Sequence, residues 1–324
     1  MTPLEAYVNS RMGKPVRRRI ACERLSWRLP QSLGNLVRSK VWNWPYRHMN
    51  SFTWQVAFEP TRPGAWDIFL EGRLITTTVP LREWIGPISR PVTIVAGGPS
   101  AREYPIRDLA AGERLVVAVN GAPAFLEEYG IRPDAWIVSD VRLAYQVETN
   151  FLHAVGVPLA VPVTVASSIA TRSPEELANR PLAVIERVNQ WHGVPSLSRE
   201  QLLKLNAASG SPFDFPPAGG GKSIIGWSHR PELGVFSGCT VVFATLQLMV
   251  GLGARDIEIV GMDLSGTAHV YGEQKGSLPS SLAGDYRARI LPSFELMHSA
   301  LAGSGLRIRN LSPVCPLPLR IFEP

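Results

Sequence analysis

The spacing of apolar positions divides this chain into a short alternating part and a longer part of buried runs. Between Ser51 and Pro80, "FTWQVAFEP" and "WDIFLEGRLITTTVP" alternate with a period of two and are rich in aromatic and β-branched residues. With a turn at Pro63-Gly64, this predicts a small antiparallel β-hairpin unit. From Val92 onward the pattern changes to short apolar runs separated by helical stretches. The predicted strands are "VTIVA", "RLVVAVN" ending at Asn120, "DAWIVSD" ending at Asp140, "PLAVPVTVA", "LAVIERVN", "DIEIVGMD" and "LRIRNLS". In the fourth of these, Pro162 either breaks the strand or confines it to an edge. The predicted helices are "PAFLEEYG", stopped by Gly130, then Ser237–Gly253 with a serine cap and a glycine stop, and "ILPSFELMHSALAGSG". Such alternation predicts an α/β fold: a Rossmann-like, mostly parallel sheet with helices on both faces, plus the small N-terminal β unit. The expected divisions are a basic aromatic segment over 1–47, an accessory β unit over 48–90 and the Rossmann-like domain over 91–324.

Ligands of open parallel sheets sit beyond the carboxyl ends of the strands. Four predicted strands end in polar or small residues: Gly97-Gly98-Pro99-Ser100, Asn120-Gly121, Ser139-Asp140, and Gly261 with Asp263. Each alone reads equally well as a turn; together on one rim they form a candidate site. "GGPS" is not GxGxxG, and Asn120 stands where a ribose-binding acid would be, which argues against a nicotinamide site. Glycine backbone N–H groups and a serine hydroxyl suit a phosphate instead. "AGGGKS" lacks the first glycine of a P-loop, since Pro216 occupies that position, and it reads as a loop. "GMDLSGTAHVYGEQ" places Asp263, His269, Tyr271 and Glu273 just past a strand. A histidine or carboxylate there is a candidate base, and a tyrosine a candidate phosphate donor. No DxD, HxxxH or CxxC spacing occurs, so neither a metal nor a cofactor is expected.

Charge changes the picture at one end. The chain of 324 residues carries a net charge of +6, but its first forty residues hold nine Lys or Arg against two Glu. The body is therefore close to neutral, which argues against nucleic-acid binding. Trp27, Trp42, Trp44 and Tyr46 lie among or just after these basic residues. That mixture suits the surface of an anionic membrane; it equally suits a basic helix folded back with its tryptophans in the core. Cys22, Cys239 and Cys315 are far apart and odd in number, giving neither a disulfide framework nor a metal site and pointing to a reducing cytoplasm. No cleavable signal and no membrane span of about 20 apolar residues is evident.

The set "IVAGGPS", "AVNGAPAFLEEYGIRPDAWIVSD", "SGCTVVFATLQLMVGLGARDIEIVGMDLS" and "RNLSP" resembles glycosyltransferases that use CMP-activated eight- or nine-carbon acid sugars. Within that group the chain is most similar to the Kdo transferases of lipopolysaccharide core assembly that add a third Kdo. "NSFTWQVAF" and "ILPSFELM" share the likeness, which covers roughly residues 50 to 320. The outline is also similar to bacterial CMP-sialic acid sialyltransferases and, more distantly, to a pterin diphosphokinase-like domain. The resemblance implies that Gly98, Pro99, Ser100 and Asn120 hold CMP, that Ser237 and Gly238 contact the nucleotide, and that Gly261 and Asp263 end the strand beside it. It implies that Tyr271 supports the leaving phosphate. The family's earlier tyrosine falls here on Ser265, and its histidine base falls in "GDYRARI", which has no histidine. His269 is then the expected base, with Asp263 or Glu273 as substitutes.

The expected activity is transfer of Kdo, or a related ulosonic acid, from its CMP conjugate to a lipopolysaccharide core acceptor. The expected location is the cytoplasm, peripheral to the inner membrane. Two alternatives stand beside it: a pterin diphosphokinase-like enzyme using ATP and magnesium, with Asp140 and Asp263 as its carboxylates, and a non-catalytic nucleotide-binding protein.

Overall fold

The computed structural model describes residues 1–12, 29–30, 32–33, 36–37, 40, 46, 48, 55–144, 151–217, 224–264 and 282–317. The chain opens with helix α1 (Pro3–Asn9), whose start is fixed by a capping box between Thr2 and Glu5. Strands β1 (Val56–Arg62), β2 (Ala65–Leu70) and β3 (Arg73–Thr77) follow as an antiparallel sheet, one strand more than the expected hairpin. Then come β4 (Val92–Val95), β5 (Leu115–Val119), α2 (Ala122–Glu127), β6 (Ala135–Ile137), β7 (Leu159–Pro162), α3 (Val163–Arg172) and β8 (Leu182–Ile185). Helix α4 (Arg199–Ala208), a short β9–β10 pair (Phe213–Asp214 and Trp227–Ser228), α5 (Val241–Gly251), β11 (Asp256–Val260), α6 (Leu291–Leu301) and β12 (Arg307–Asn310) complete the order.

Seven strands form one sheet in the order β12-β11-β4-β5-β6-β7-β8, and every pairing in it is parallel. The apolar runs have this form because both faces are covered. Alternate residues feed opposite cores. Val92, Ile94, Val117, Val119, Ile257 and Ile259 face one cluster, shared with α5 and α6. Val95, Val116, Ala118, Trp136 and Val260 face the other, shared with α2, α3 and the small sheet through Phe58, Trp66 and Ile68. Each fully buried Val, Leu, Ile or Phe contributes about 1.5–3 kcal/mol.

Two local expectations change in detail. Pro162 breaks the expected run and does not place it at an edge: β7 lies between β6 and β8, Pro162 is its last residue and the cap position of α3, and the rest of the run after it is helix. Proline suits that point because a helix start has no use for its missing N–H. Helix α5 starts four residues later than expected, capped by Thr240, whose hydroxyl accepts from the Val242 N–H at 3.3 Å.

Residues 1–12 fold back onto the body. Leu4 and Val8 are buried in the main core, and the Leu4 N–H donates to Ser209 Oγ at 2.8 Å. The Tyr7 hydroxyl donates to the Pro195 carbonyl at 2.8 Å, and burial pushes its pKa up to about 12, so it stays a donor. Arg11 lies buried against Glu186, with Nη1 2.5 Å from Oε2 and the guanidinium 4.4 Å from the Trp66 ring centre. Trp27, Trp42 and Trp44 lie outside the described residues. Among the described residues, no helix is long and apolar enough to cross a membrane.

Candidate functional site

From β4 the chain winds outward through β5, β6, β7 and β8, then returns to place β11 on β4's other side. The strand order therefore reverses between β4 and β11, and a crevice of an open α/β sheet opens at such a reversal. The residues at this point are Gly97 to Ser100 after β4 and Gly261 to Asp263 after β11.

They are locked together. The Gly98 N–H donates to the Gly261 carbonyl at 2.8 Å, continuing the β4–β11 ladder by one step. A Cβ on Gly98 would lie 2.4 Å from that carbonyl oxygen and 2.6 Å from Asp263 Cγ, so only glycine fits. Asp263 accepts from the Ser100 N–H at 3.0 Å through Oδ2, and from the Ser100 hydroxyl through Oδ1. Ser100 Oγ also lies 3.0 Å from the Ser312 hydroxyl, just beyond β12. Ser100, Asp263 and Ser312 are all buried. The turn Pro99–Glu103 is thus held by three strand ends at once, and the Asp263 carboxylate is occupied in holding it.

Asn120, at the end of β5, has a left-handed backbone (φ 48°). Its Oδ1 accepts from the N–H groups of Ser139 (3.1 Å) and Asp140 (3.4 Å), joining the ends of β5 and β6. Its own carbonyl accepts from Trp136 Nε1 at 2.6 Å. With the oxygen committed, the orientation of the amide is set and Nδ2 is its donor. Gly121 follows as the cap position of α2. Asp140 is paired with Arg142 at 2.5 Å.

Helix α5 packs on β4 and β5, and Ser237, Gly238 and Cys239 precede it. Gly238 and Cys239 are both left-handed, with φ of 50° and 57°. A Cβ on Gly238 would strike the Phe243 ring at 2.4 Å. The sequence-predicted residues Gly97, Gly98, Pro99, Ser100, Gly261 and Asp263 meet at the β4–β11 junction, while Asn120, Gly121 and Asp140 sit at the next two strand ends. His269, Tyr271, Glu273 and Ser265 lie outside the described residues, as does the 218–223 stretch. Sequence reading overlooks Ser312, although "RNLSP" was marked by its likeness; its link to Ser100 spans 212 positions and has no local signal. Among the described residues no group of His, Cys, Asp and Glu is arranged to hold a metal ion.

Fold and rim together define a doubly wound α/β protein whose polar strand ends gather around a switch point. No family model matches the chain. In sequence it is similar to the probable 3-deoxy-manno-octulosonic acid transferase of Escherichia coli (strain K12), 25% identical over 227 residues, which cover 69% of this chain and 78% of that protein. Among solved structures it is similar to the sialyltransferase CstII from Campylobacter jejuni in complex with the substrate analogue CMP-3FNeuAc, with a TM-score of 0.39, 11% identity, and coverage of 70% of this chain and 84% of that one. The same sialyltransferase in complex with cytidine-5'-monophosphate gives a TM-score of 0.39, 10% identity, and coverage of 71% and 83%.

Proposed function

We propose that this chain is a CMP-sugar-dependent glycosyltransferase that moves Kdo, or a related ulosonic acid, to a lipopolysaccharide core acceptor. The observation that carries the reading is the convergence of polar strand ends at the β4–β11 switch point, where Gly98 and Ser100 are clamped to Gly261 and Asp263. The Ser100 N–H and hydroxyl, expected as phosphate donors, are instead committed to Asp263, so the turn frames the site and does not itself donate. The similarity to the Escherichia coli transferase supports the choice of donor.

In this reading Gly97, Gly98, Pro99, Ser100 and Gly261 shape the cradle for the CMP phosphate, and Asp263 positions it by fixing Ser100. Asn120 donates through Nδ2 to phosphate, ribose or base, with Gly121 and Asp140 beside it, and Ser237 and Gly238 close the nucleotide from the α5 side. The acceptor hydroxyl oxygen bonds to the anomeric carbon as the bond from that carbon to the phosphate oxygen breaks. CMP departs with the electron pair, through an oxocarbenium-like transition state. Tyr271 donates to the leaving phosphate, and His269 takes the acceptor proton.

A membrane-bound acceptor calls for surface contact from the cytoplasmic side. Leu33 and Leu36, 49% and 55% exposed, lie close in sequence to Arg38 and Lys40 and support it.

Incubation of the protein with CMP-Kdo and a lipopolysaccharide core acceptor tests the reading. Release of CMP and a mass gain of one acid sugar on the acceptor are expected. Calorimetry that finds binding of ATP–Mg and none of CMP would instead favour the diphosphokinase.

A further inference from the structure

The apolar stretch 241–253, most of it helix α5, is interrupted by one long polar side chain, Gln247, which is fully buried. An amide in such surroundings costs free energy unless each of its donors and acceptors is met. All four are met. Oε1 accepts from the Ser228 N–H of β10 at 3.2 Å and from the Phe236 N–H at 3.0 Å. Nε2 donates to the Phe236 carbonyl at 2.8 Å and to the Phe243 carbonyl, one turn back in the helix, at 3.1 Å. Two of the four bonds therefore grip both backbone polar groups of a single residue, Phe236.

Phe236 ends a segment that is held along its length. Trp191 Nε1 donates to the Leu233 carbonyl at 2.6 Å. Gly234 has a φ of 120°, and a Cβ on it would lie 3.1 Å from the Val188 nitrogen. The Val235 N–H donates to the Glu186 carbonyl at 2.8 Å, and the Val188 N–H to the Val235 carbonyl at 3.1 Å. Residues 233–236 are thus pinned to the chain that follows β8 on one side and, through Gln247, to α5 on the other. They lead directly into Ser237, Gly238 and Cys239. This turn has few bonds of its own. The Thr240 N–H donates to the Ser237 carbonyl at 3.1 Å, while the N–H groups of Ser237, Gly238 and Cys239 donate to no acceptor among the described residues. The place of the turn at the rim is set by its flanks, and Gln247 ties the two flanks together.

A leucine would be the ordinary residue at an apolar helix position. Only an amide can accept from one backbone group of Phe236 and donate to the other. We propose that Gln247 is a positioning residue for the nucleotide site: it fixes Phe236 against α5 and so sets where Ser237, Gly238 and Cys239 present their N–H groups to the donor. The proposal deepens the reading above and rests on it for the ligand. A glutamate here would keep the two bonds that Oε1 accepts. Ionised, it would set a negative oxygen against two carbonyls; protonated, it could still donate to the Phe236 carbonyl.

The test compares the parent chain with Gln247→Leu, Gln247→Glu and Leu248→Ala. The last opens a cavity on the same helix but removes no bond to Phe236. Calorimetry reads CMP affinity in the folded proteins. Alkylation of Cys239 by iodoacetamide, followed by peptide mass spectrometry with Cys315 as internal reference, reads the position of the turn without a nucleotide. Gln247→Leu should bind CMP roughly ten-fold or more weakly, the worth of one hydrogen bond to a charged group, and its Cys239 should react several-fold faster. Leu248→Ala should keep the parent values in both readings. Gln247→Glu should approach the parent affinity at about pH 5.5 and fall away from it by about pH 8, the range over which a buried glutamic acid titrates. The parent, measured alongside, removes the titration of CMP itself. If the parent binds no CMP while Gln247→Leu alone frees Cys239, the donor reading fails and the positioning role stands. If folded Gln247→Leu and Gln247→Glu match the parent in both readings at every pH, or Leu248→Ala changes them as much, the role is overturned.

Discussion

Ser100 and Asp263, 163 positions apart, are joined by two hydrogen bonds, one from the serine N–H and one from its hydroxyl. Two strand ends that converge at the reversal of strand order are thereby fixed to each other. The bond is at once a structural clamp and the frame of the proposed phosphate cradle.

Asp263→Asn keeps the shape of the side chain and removes its charge. It should cost about 1–3 kcal/mol, the range for hydrogen bonds to a charged, buried group. Ser100→Ala removes only the hydroxyl, whose bond also goes to the carboxylate, and should cost about 1.5–3 kcal/mol. Urea unfolding measures both, and parent-like midpoints for the two variants would mean that the clamp contributes nothing.

Gly98→Ala forces a carbon to within 2.4 Å of a backbone oxygen and 2.6 Å of Asp263 Cγ, with no flexible chain end to yield. Overpacking of this kind costs about 1–3 kcal/mol. CMP affinity should fall with it, because the turn that presents Ser100 must shift. Calorimetry showing full CMP affinity in Gly98→Ala would detach this turn from the nucleotide.

Removing one partner of a buried ion pair leaves the other uncompensated. Arg11→Ala should therefore cost about 3–5 kcal/mol, since Glu186 is buried and, among the described residues, keeps the His192 N–H as its hydrogen-bond donor. Limited proteolysis should then cut near residues 1–12, which in the parent are held by Leu4, Val8 and Tyr7. An unchanged digestion pattern and melting temperature would contradict the role given to the pair.

His48 is a half-buried histidine whose pKa is lowered on folding. Its Nε2 lies 2.9 Å from the Trp191 carbonyl and its Nδ1 3.1 Å from Ser196 Oγ, an arrangement a neutral ring satisfies by donating from one nitrogen and accepting at the other. Burial pushes its pKa below 6.5, with the Trp191 carbonyl and Glu186 opposing. The unfolded chain therefore takes up the proton first as pH falls. The contribution of His48 to stability is complete above about pH 6.5 and is lost as pH drops through the folded value. Urea midpoints at pH 7.5 and pH 5 should differ more in the parent than in His48→Gln; an equal difference would remove His48 from the acid response.

How much of this was legible depended on whether a signal was local. Strands β4 and β5 are near-continuous apolar runs bounded by turn residues, so parallel burial on both faces can be read from them, whereas β11 and β12 are legible only through isoleucines alternating with charged residues. Helix α3 is hidden, because "VTVASS" is β-branched and follows a strand directly; tertiary packing overrides propensity there. Helix α4 carries a signal of its own in the Ser198–Gln201 capping box, which a search for apolar runs passes over. The polar strand ends were readable because the rule for open sheets names their location. What joins them was not: Ser312 reaching Ser100, or Arg11 reaching Glu186, are relations between residues far apart in sequence.

The position of β4 also bears on how the chain is made. Its inner neighbour β5 is synthesised soon after it, but its other neighbour, β11, begins only at Asp256. Throughout that interval an emerging polypeptide presents the open side of a strand that is interior in the finished sheet, a row of unsatisfied amides and carbonyls flanked by valine and isoleucine. Such an edge invites pairing with another nascent copy, so a product truncated before β11 should precipitate, whereas the finished molecule has that strand sealed inside.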